Sequence, residues 1–277
     1  LDALAQPVRV ALADGAFIVP PDLRAELDLL LARCRARDAL ADGLGPALRT
    51  RYEPGVRALF TGPSGTGKTL AALWLANRLG LPLYRVDLAS VTSKYIGETE
   101  KNLATLLARA EASEVVLLFD EADALFGKRT DIRDSNDRFA NAQTNYLLQR
   151  IETYEGIVLL TSNSRTRFDP AFTRRLDMVL EFQLPGPVER RELWRAHLGA
   201  DHGLDEAMLN RLAALPDLAG GHIRGAVLTA AALARTAERL PTPADLARGL
   251  AAEYGKLGRS VPGEVAAMTA VAIEEPR

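Results

Sequence analysis

Between an apolar run, Val56 to Phe60, and a helix-forming run, Leu70 to Leu79, lies Thr61-Gly62-Pro63-Ser64-Gly65-Thr66-Gly67-Lys68-Thr69. Gly62 and Gly67 bracket four residues and are followed directly by Lys-Thr, the P-loop pattern, which demands a strand, an anion-cradling loop and a helix in that order. Successive backbone N–H groups have to turn toward one anion, so the turn takes glycine at 62, 65 and 67, where backbone angles that side chains resist are needed. Lys68 adds a positive charge suited to the β and γ phosphates of a nucleotide. The hydroxyl of Thr69 suits Mg²⁺, and the new helix presents its positive end to the phosphates. Gly62 through Leu70 is therefore the expected nucleotide-binding set.

Around that loop, strand and helix signals alternate: strand 56–61, helix 68–79, strand 81–88, helix 98–111, strand 115–120, helix 138–154, strand 157–163, a short helix 170–175 and strand 178–184. Val115-Val116-Leu117-Leu118-Phe119 is apolar at every position, as in a parallel sheet covered on both faces. The expected fold is α/β, a doubly wound parallel P-loop sheet over residues 55–185. After Pro185-Gly186-Pro187 the strand signals stop, and helical runs at 187–199, 205–214, 221–239 and 243–256 predict a small all-helical lid over 186–257. Residues 1–54 form a lead segment in which the spacing of Leu23, Leu27, Leu30, Leu31 and Cys34 gives an amphipathic helix; residues 1–20 have room for one or two short strands but no assignable pattern. Residues 258–277 carry no strong period and are expected to be a loosely ordered tail.

A chain of 277 residues, 48% of them hydrophobic, can bury a core of this size. A net charge of −2 argues against a dominant attraction to nucleic acid. No apolar run approaches roughly eighteen residues and no charged-then-apolar leader is visible, so neither a membrane span nor a secretory signal is expected. Cys34 has no cysteine to pair with, which fits a reducing, cytoplasmic setting, and its apolar helical neighbours make it a packing residue.

Further acids and cations fall at the ends of the expected strands. Strand 115–120 runs into Asp120-Glu121-Ala122-Asp123, at the edge where open α/β sheets bind ligands. Asp120 is placed to share a Mg²⁺ shell with Thr69, and Glu121 to orient or deprotonate a water attacking the γ phosphate; binding alone needs only the first. Asn163 closes strand 157–163, where it positions the same water or simply caps a turn. Arg174 and Arg175 stand side by side before the last strand, as fingers for a neighbouring subunit's phosphate or as a solvated pair. Gly220-Gly221-His222-Ile223-Arg224 puts a cation in the first turn of a helix, against the dipole, so Arg224 calls for a phosphate or carboxylate partner. Lys94-Tyr95-Ile96-Gly97 is either an exposed gripping loop or a tyrosine folded onto its own core. The polar run Lys128 to Arg138 reads as a solvated loop.

The ordered set resembles the AAA ATPases over about residues 43–257. That resemblance implies an enzyme that hydrolyses ATP with Mg²⁺ and assembles with copies of itself into a ring, a hexamer, acting on a protein client. By it, Asn163 is similar to sensor 1, Arg174 and Arg175 to the arginine fingers and Arg224 to sensor 2. Lys94, Tyr95 and Ile96 look like the pore loop that grips client polypeptide, and Asp42 to Gly45 resembles the stretch that contacts adenine. More narrowly, Ser93 to Leu103 and Asp120 to Arg129 look like the stand-alone AAA proteins of phage-tail-like contractile injection systems, which implies a bacterial cytoplasmic protein. No His-Glu-x-x-His is present, so no peptidase is expected. Two other readings remain: a loader-like subunit acting on nucleic acid, and a non-enzymatic ATP-binding scaffold. The near-neutral charge weighs against the first and Glu121 against the second.

Overall fold

The computed structural model of the chain describes residues 3–13, 15–50, 52–87, 91, 98–123, 146, 148–164, 170–200, 202 and 204–271. Strands β1 (Ala5–Val8), β2 (Val56–Thr61), β3 (Leu83–Val86), β4 (Val116–Phe119), β5 (Ile157–Ser162) and β6 (Met178–Glu181) form one sheet in the order β1-β3-β4-β5-β2-β6. Every pair is parallel except β1 with β3. The inner strands β4, β5 and β2 are buried at every position, which is why they read as nearly unbroken apolar runs. The antiparallel edge strand β1 lies within residues 1–20, where there was room for one or two short strands but no assignable pattern. Four residues that include Gln6 and Pro7 carry no strand signal of their own, and the pairing with β3 supplies it; proline is tolerated at an edge.

The sheet belongs to a compact unit made of Leu1–Ala13, Pro21–Pro63 and Lys68–Phe182. Its helices are α1 (Pro21–Ala36), α2 (Pro46–Arg49), α3 (Lys68–Leu79), α4 (Glu98–Ala112) and α5 (Pro170–Thr173). The apolar stripe of α1, Leu23, Leu27, Leu30, Leu31 and Cys34, is buried, and the helix packs on α3, β2 and β6. Burial pushes the Cys34 thiol up to about 12, far from the thiolate a reactive cysteine needs. Leu103, Leu106 and Leu107 of α4 join Leu117, Phe119, Val158 and Leu160 in one core.

One buried cation interrupts β2. The Arg57 guanidinium donates to the carbonyls of Ile151 (2.9 Å) and Tyr154 (3.3 Å) and to Glu53, while its backbone N–H donates to Asp177 at 2.8 Å. Asp177 is also paired with Arg33 of α1. A buried guanidinium is tolerable only when its donors are satisfied in this way.

The second unit comprises Asp14–Pro20, Ser64–Gly67 and Gln183–Arg277. Its helices are α6 (Pro187–Leu198), α7 (Glu206–Ala214), α8 (Gly220–Thr236), α9 (Pro243–Lys256) and α10 (Gly263–Val271). Trp194, Leu212, Leu218, Ile223, Leu246 and Tyr254 form its core. The Arg190 guanidinium, buried on α6, donates to Pro185 O (2.6 Å) and Ala213 O (2.7 Å). Part of the stretch expected to be a loosely ordered tail forms helix α10: Val265 and Met268 are buried in the same core, and α10 packs along α9. Two anchors three residues apart are too few to give a period in the sequence. No helix among the described residues is long and apolar enough to cross a membrane.

Helix α9 opens with a reciprocal cap, in which Thr242 and Asp245 bond each other's backbone N–H and Asp245 also accepts from Arg239 at 2.5 and 3.0 Å. The Arg239 guanidinium holds the Asp245 carboxyl well below its usual 3.8, and the Thr242 bonds act in the same direction. A carboxyl with a depressed folded pKa stabilises the fold above its unfolded pKa and loses that contribution as pH falls toward the folded one. Asp245→Asn is therefore expected to cost about 1–3 kcal/mol at pH 7 by denaturant titration, with the deficit shrinking below about pH 4. A deficit of equal size at pH 7 and pH 3 would contradict this.

Candidate functional site

The parallel register brings three strand ends to one edge, with Phe119 of β4 opposite Leu160 of β5, and Ser162 of β5 opposite Thr61 of β2. Ligands of open α/β sheets bind just beyond such ends. β2 passes into Gly62, whose φ of +142° lies where side chains are strained; a Cβ there would stand 1.9 Å from Phe182 O. The Gly62 N–H donates to Ser162 O at 3.2 Å, which fixes the start of the loop against β5.

Lys68 opens α3 and is 8% exposed. Its Nζ donates to Gly62 O (2.7 Å), Pro63 O (2.8 Å) and Asn163 Oδ1 (3.1 Å), so all three ammonium protons are engaged. Burial pulls its pKa below the usual lysine value, and the carboxylates of Asp120, Asp123 and Glu121 oppose that pull. Thr69 Oγ1 lies 3.3 Å from both Oδ1 and Oδ2 of Asp120. A hydroxyl and a carboxylate are hard oxygen donors of the kind Mg²⁺ takes alongside phosphate and water, so this pair fits that ion.

Behind the acids lies a residue that sequence reasoning passed over. Thr161 Oγ1 donates to Asp120 Oδ1 at 2.5 Å and accepts from the Glu121 N–H at 3.0 Å. Glu121 itself is exposed and has φ +53°, in the left-handed region. A hydroxyl at the end of the apolar stretch Ile157 to Leu160, two residues before Asn163, was the available signal.

The paired arginines have different surroundings. Arg175 forms an ion pair with Glu152 at 2.7 Å, without the alignment of a hydrogen bond. Arg174 is exposed and has no hydrogen bond or ion pair among the described residues. Just beyond them, Asp177 ties the segment to Arg57 and Arg33. Neither Glu152 nor Asp177 had been assigned a role from the sequence.

Within the second unit, Gly221 N–H donates to Gly65 O at 3.0 Å, and a Cβ on Gly221 would stand 3.1 Å from Gly65 Cα. The glycines at the start of α8 thus allow close backbone approach to residue 65. His222 Nδ1 accepts from the Ala219 N–H at 3.0 Å and serves as part of the helix cap. Arg224 is exposed, with no hydrogen bond or ion pair among the described residues. Lys94, Tyr95 and Ile96 lie outside the described residues, as does the run 128–138.

Residues 58–184 match the model of the family described as "ATPase family associated with various cellular activities (AAA)". Among curated proteins, an uncharacterized AAA family ATPase, y4kL, of Sinorhizobium fredii is 40% identical over 131 residues, 47% of this chain and 39% of that protein. Cell division protein C of Sulfolobus acidocaldarius is 30% identical over 168 residues, covering 57% of this chain and 45% of that protein. The 26S proteasome regulatory subunit 7 homolog of Saccharomyces cerevisiae is 30% identical over 200 residues, covering 68% and 42%. The chain thus spans less than half the length of these relatives. A chain of the E. coli MS115-1 HORMA:CdnC:Trip13 complex superposes with a TM-score of 0.69 at 18% identity, covering 90% of this chain and 95% of its own, a likeness of fold. Proteins of the AAA family use ATP with Mg²⁺.

Gly62→Ala tests the geometry of the loop. The strain of a positive φ alone costs about 1–3 kcal/mol, and the contact with Phe182 O adds to it. The expected outcome is at least a ~tenfold loss of affinity for a fluorescent ADP analogue; unchanged affinity would show that the loop does not close on the phosphates in this conformation.

Proposed function

We propose that this chain, whose residues 58–184 match the AAA ATPase family, is an ATP-hydrolysing subunit of a homo-oligomeric ring, of six copies by resemblance, that remodels, unfolds or threads a protein client. The observation that carries the reading is the convergence at one sheet edge of two hydrogen-bonded pairs, Lys68 with Asn163 and Thr69 with Asp120, with Glu121 next to Asp120 and Arg174 without an acidic partner among the described residues. On this reading the backbone of residues 62–70 and the Lys68 ammonium exchange their present acceptors for β and γ phosphate oxygens. Thr69 and Asp120 would hold Mg²⁺, which would supply charge to offset the charge that builds on the transferred phosphoryl group. Asn163 orients a water whose oxygen bonds to the γ phosphorus as the bridging bond to the β phosphate breaks; Glu121 takes the proton, and ADP and phosphate leave. Arg224 reports the γ phosphate to the helical unit, and Lys94, Tyr95 and Ile96 grip the client.

The two arginines divide the labour. Arg175 is engaged with Glu152 and sets the segment, while Arg174 is the cation available to a neighbour's nucleotide. The protein client is favoured over nucleic acid by the near-neutral charge and by relatives named as proteasome subunits. Service in a contractile injection system is supported by the resemblance of Ser93 to Leu103 and Asp120 to Arg129.

Complementation tests the shared site. Arg174→Ala is expected to lower turnover by roughly 10³-fold or more, the usual size of a finger contribution. Mixed with Glu121→Gln subunits, themselves inactive, it should regain turnover, because about a quarter of random interfaces then join an intact Glu121 to an intact Arg174. Arg175→Ala should cost less. No recovery in any mixture contradicts an arginine supplied in trans.

A further inference from the structure

The acids at the end of β4 depend on one side chain across the sheet, and from its contacts we infer that Thr161 is a positioning residue that sets Asp120 for Mg²⁺ and Glu121 for water. The inference rests on the ATPase reading above. Thr161 is 1% exposed, near the end of β5, and bonds three consecutive residues. Its Oγ1 donates to Asp120 Oδ1 at 2.5 Å and accepts from the Glu121 N–H at 3.0 Å, and its carbonyl accepts from the Ala122 N–H at 2.8 Å.

A hydroxyl has one proton, so its direction here is fixed: the lone pairs serve the amide and the proton serves the carboxylate. Asp120 Oδ1 thereby holds the Thr161 proton, and the carboxylate cannot turn freely about its bond to Cβ. Thr69 Oγ1 lies 3.3 Å from both of its oxygens, and Oδ2 carries no bond to Thr161. The same hydroxyl anchors the amide of Glu121 in its left-handed conformation, φ +53°, so one atom governs the orientation of one acid and the backbone of the next. A strand that needed only bulk at this buried position would take valine, which has the same shape and fits a pleated sheet equally well. The hydroxyl is the part that packing does not require.

Two substitutions separate orientation from packing. Thr161→Val keeps shape and removes the hydroxyl; Thr161→Ser keeps the hydroxyl and removes a methyl. Partners behind a metal ligand typically matter by about 10–100-fold in metal affinity or activity. Thr161→Val is expected to lower kcat by that factor, with KM for ATP changed less than about threefold. It should also shrink, by a similar factor, the gain in affinity that Mg²⁺ gives a non-hydrolysable fluorescent ATP analogue, while affinity in EDTA stays near that of the parent protein. Thr161→Ser should recover most of both. The inference is overturned if Thr161→Val keeps the parent kcat and Mg²⁺ gain, or if Thr161→Ser is as impaired as Thr161→Val. A parent protein that shows the Mg²⁺ gain yet turns over no ATP refutes hydrolysis instead, and the Mg²⁺ gain of the two variants still decides the role of Thr161.

Discussion

Everything at the nucleotide site depends on the register of three buried parallel strands. β4, β5 and β2 end side by side, so Asp120 and Glu121, the Asn163 amide and the phosphate-binding loop emerge from one edge. Strands buried on both faces resist slipping, because a one-residue shift would reverse every side chain. The polar groups beyond them are then held by hydrogen bonds, Gly62 N–H to Ser162 O and the Thr161 hydroxyl between Asp120 and Glu121. Rigidity is set by apolar burial, and the chemistry is mounted on its rim.

Lys68 shows how the loop is held in shape. A buried ammonium would be costly alone, and here three protein oxygens satisfy it. In the proposed cycle, phosphate oxygens are the stronger, charged acceptors that take Lys68 from those oxygens, Asn163 Oδ1 among them. Occupation of the loop and release of Asn163 are thus one event in the proposed cycle, which links binding to the positioning of water.

The sequence revealed what is encoded by local chemistry. The loop from Gly62 to Thr69 needs its glycines, lysine and threonine for reasons contained in nine residues, and the Asp-Glu end of β4 follows an apolar run that announces itself. Partners made by the fold were not legible. Thr161 looks like an ordinary strand residue until β4 lies beside it, and Arg57 breaks an apolar run for a reason that appears only with Asp177 and the carbonyls of Ile151 and Tyr154. Strand β1 and helix α10 are likewise products of pairing and packing over long stretches of chain. The adjacent arginines were singled out from the sequence, but their different surroundings depend on Glu152, more than twenty residues earlier.

The central claim is that the site is completed by a second copy of the chain. ATP turnover per subunit, measured across a wide range of protein concentration with Glu121→Gln as the blank, tests it most directly. Completion by a neighbour predicts specific activity that climbs steeply with concentration and then saturates as the protein assembles. Turnover per subunit that stays constant down to concentrations at which the protein is monomeric would contradict it.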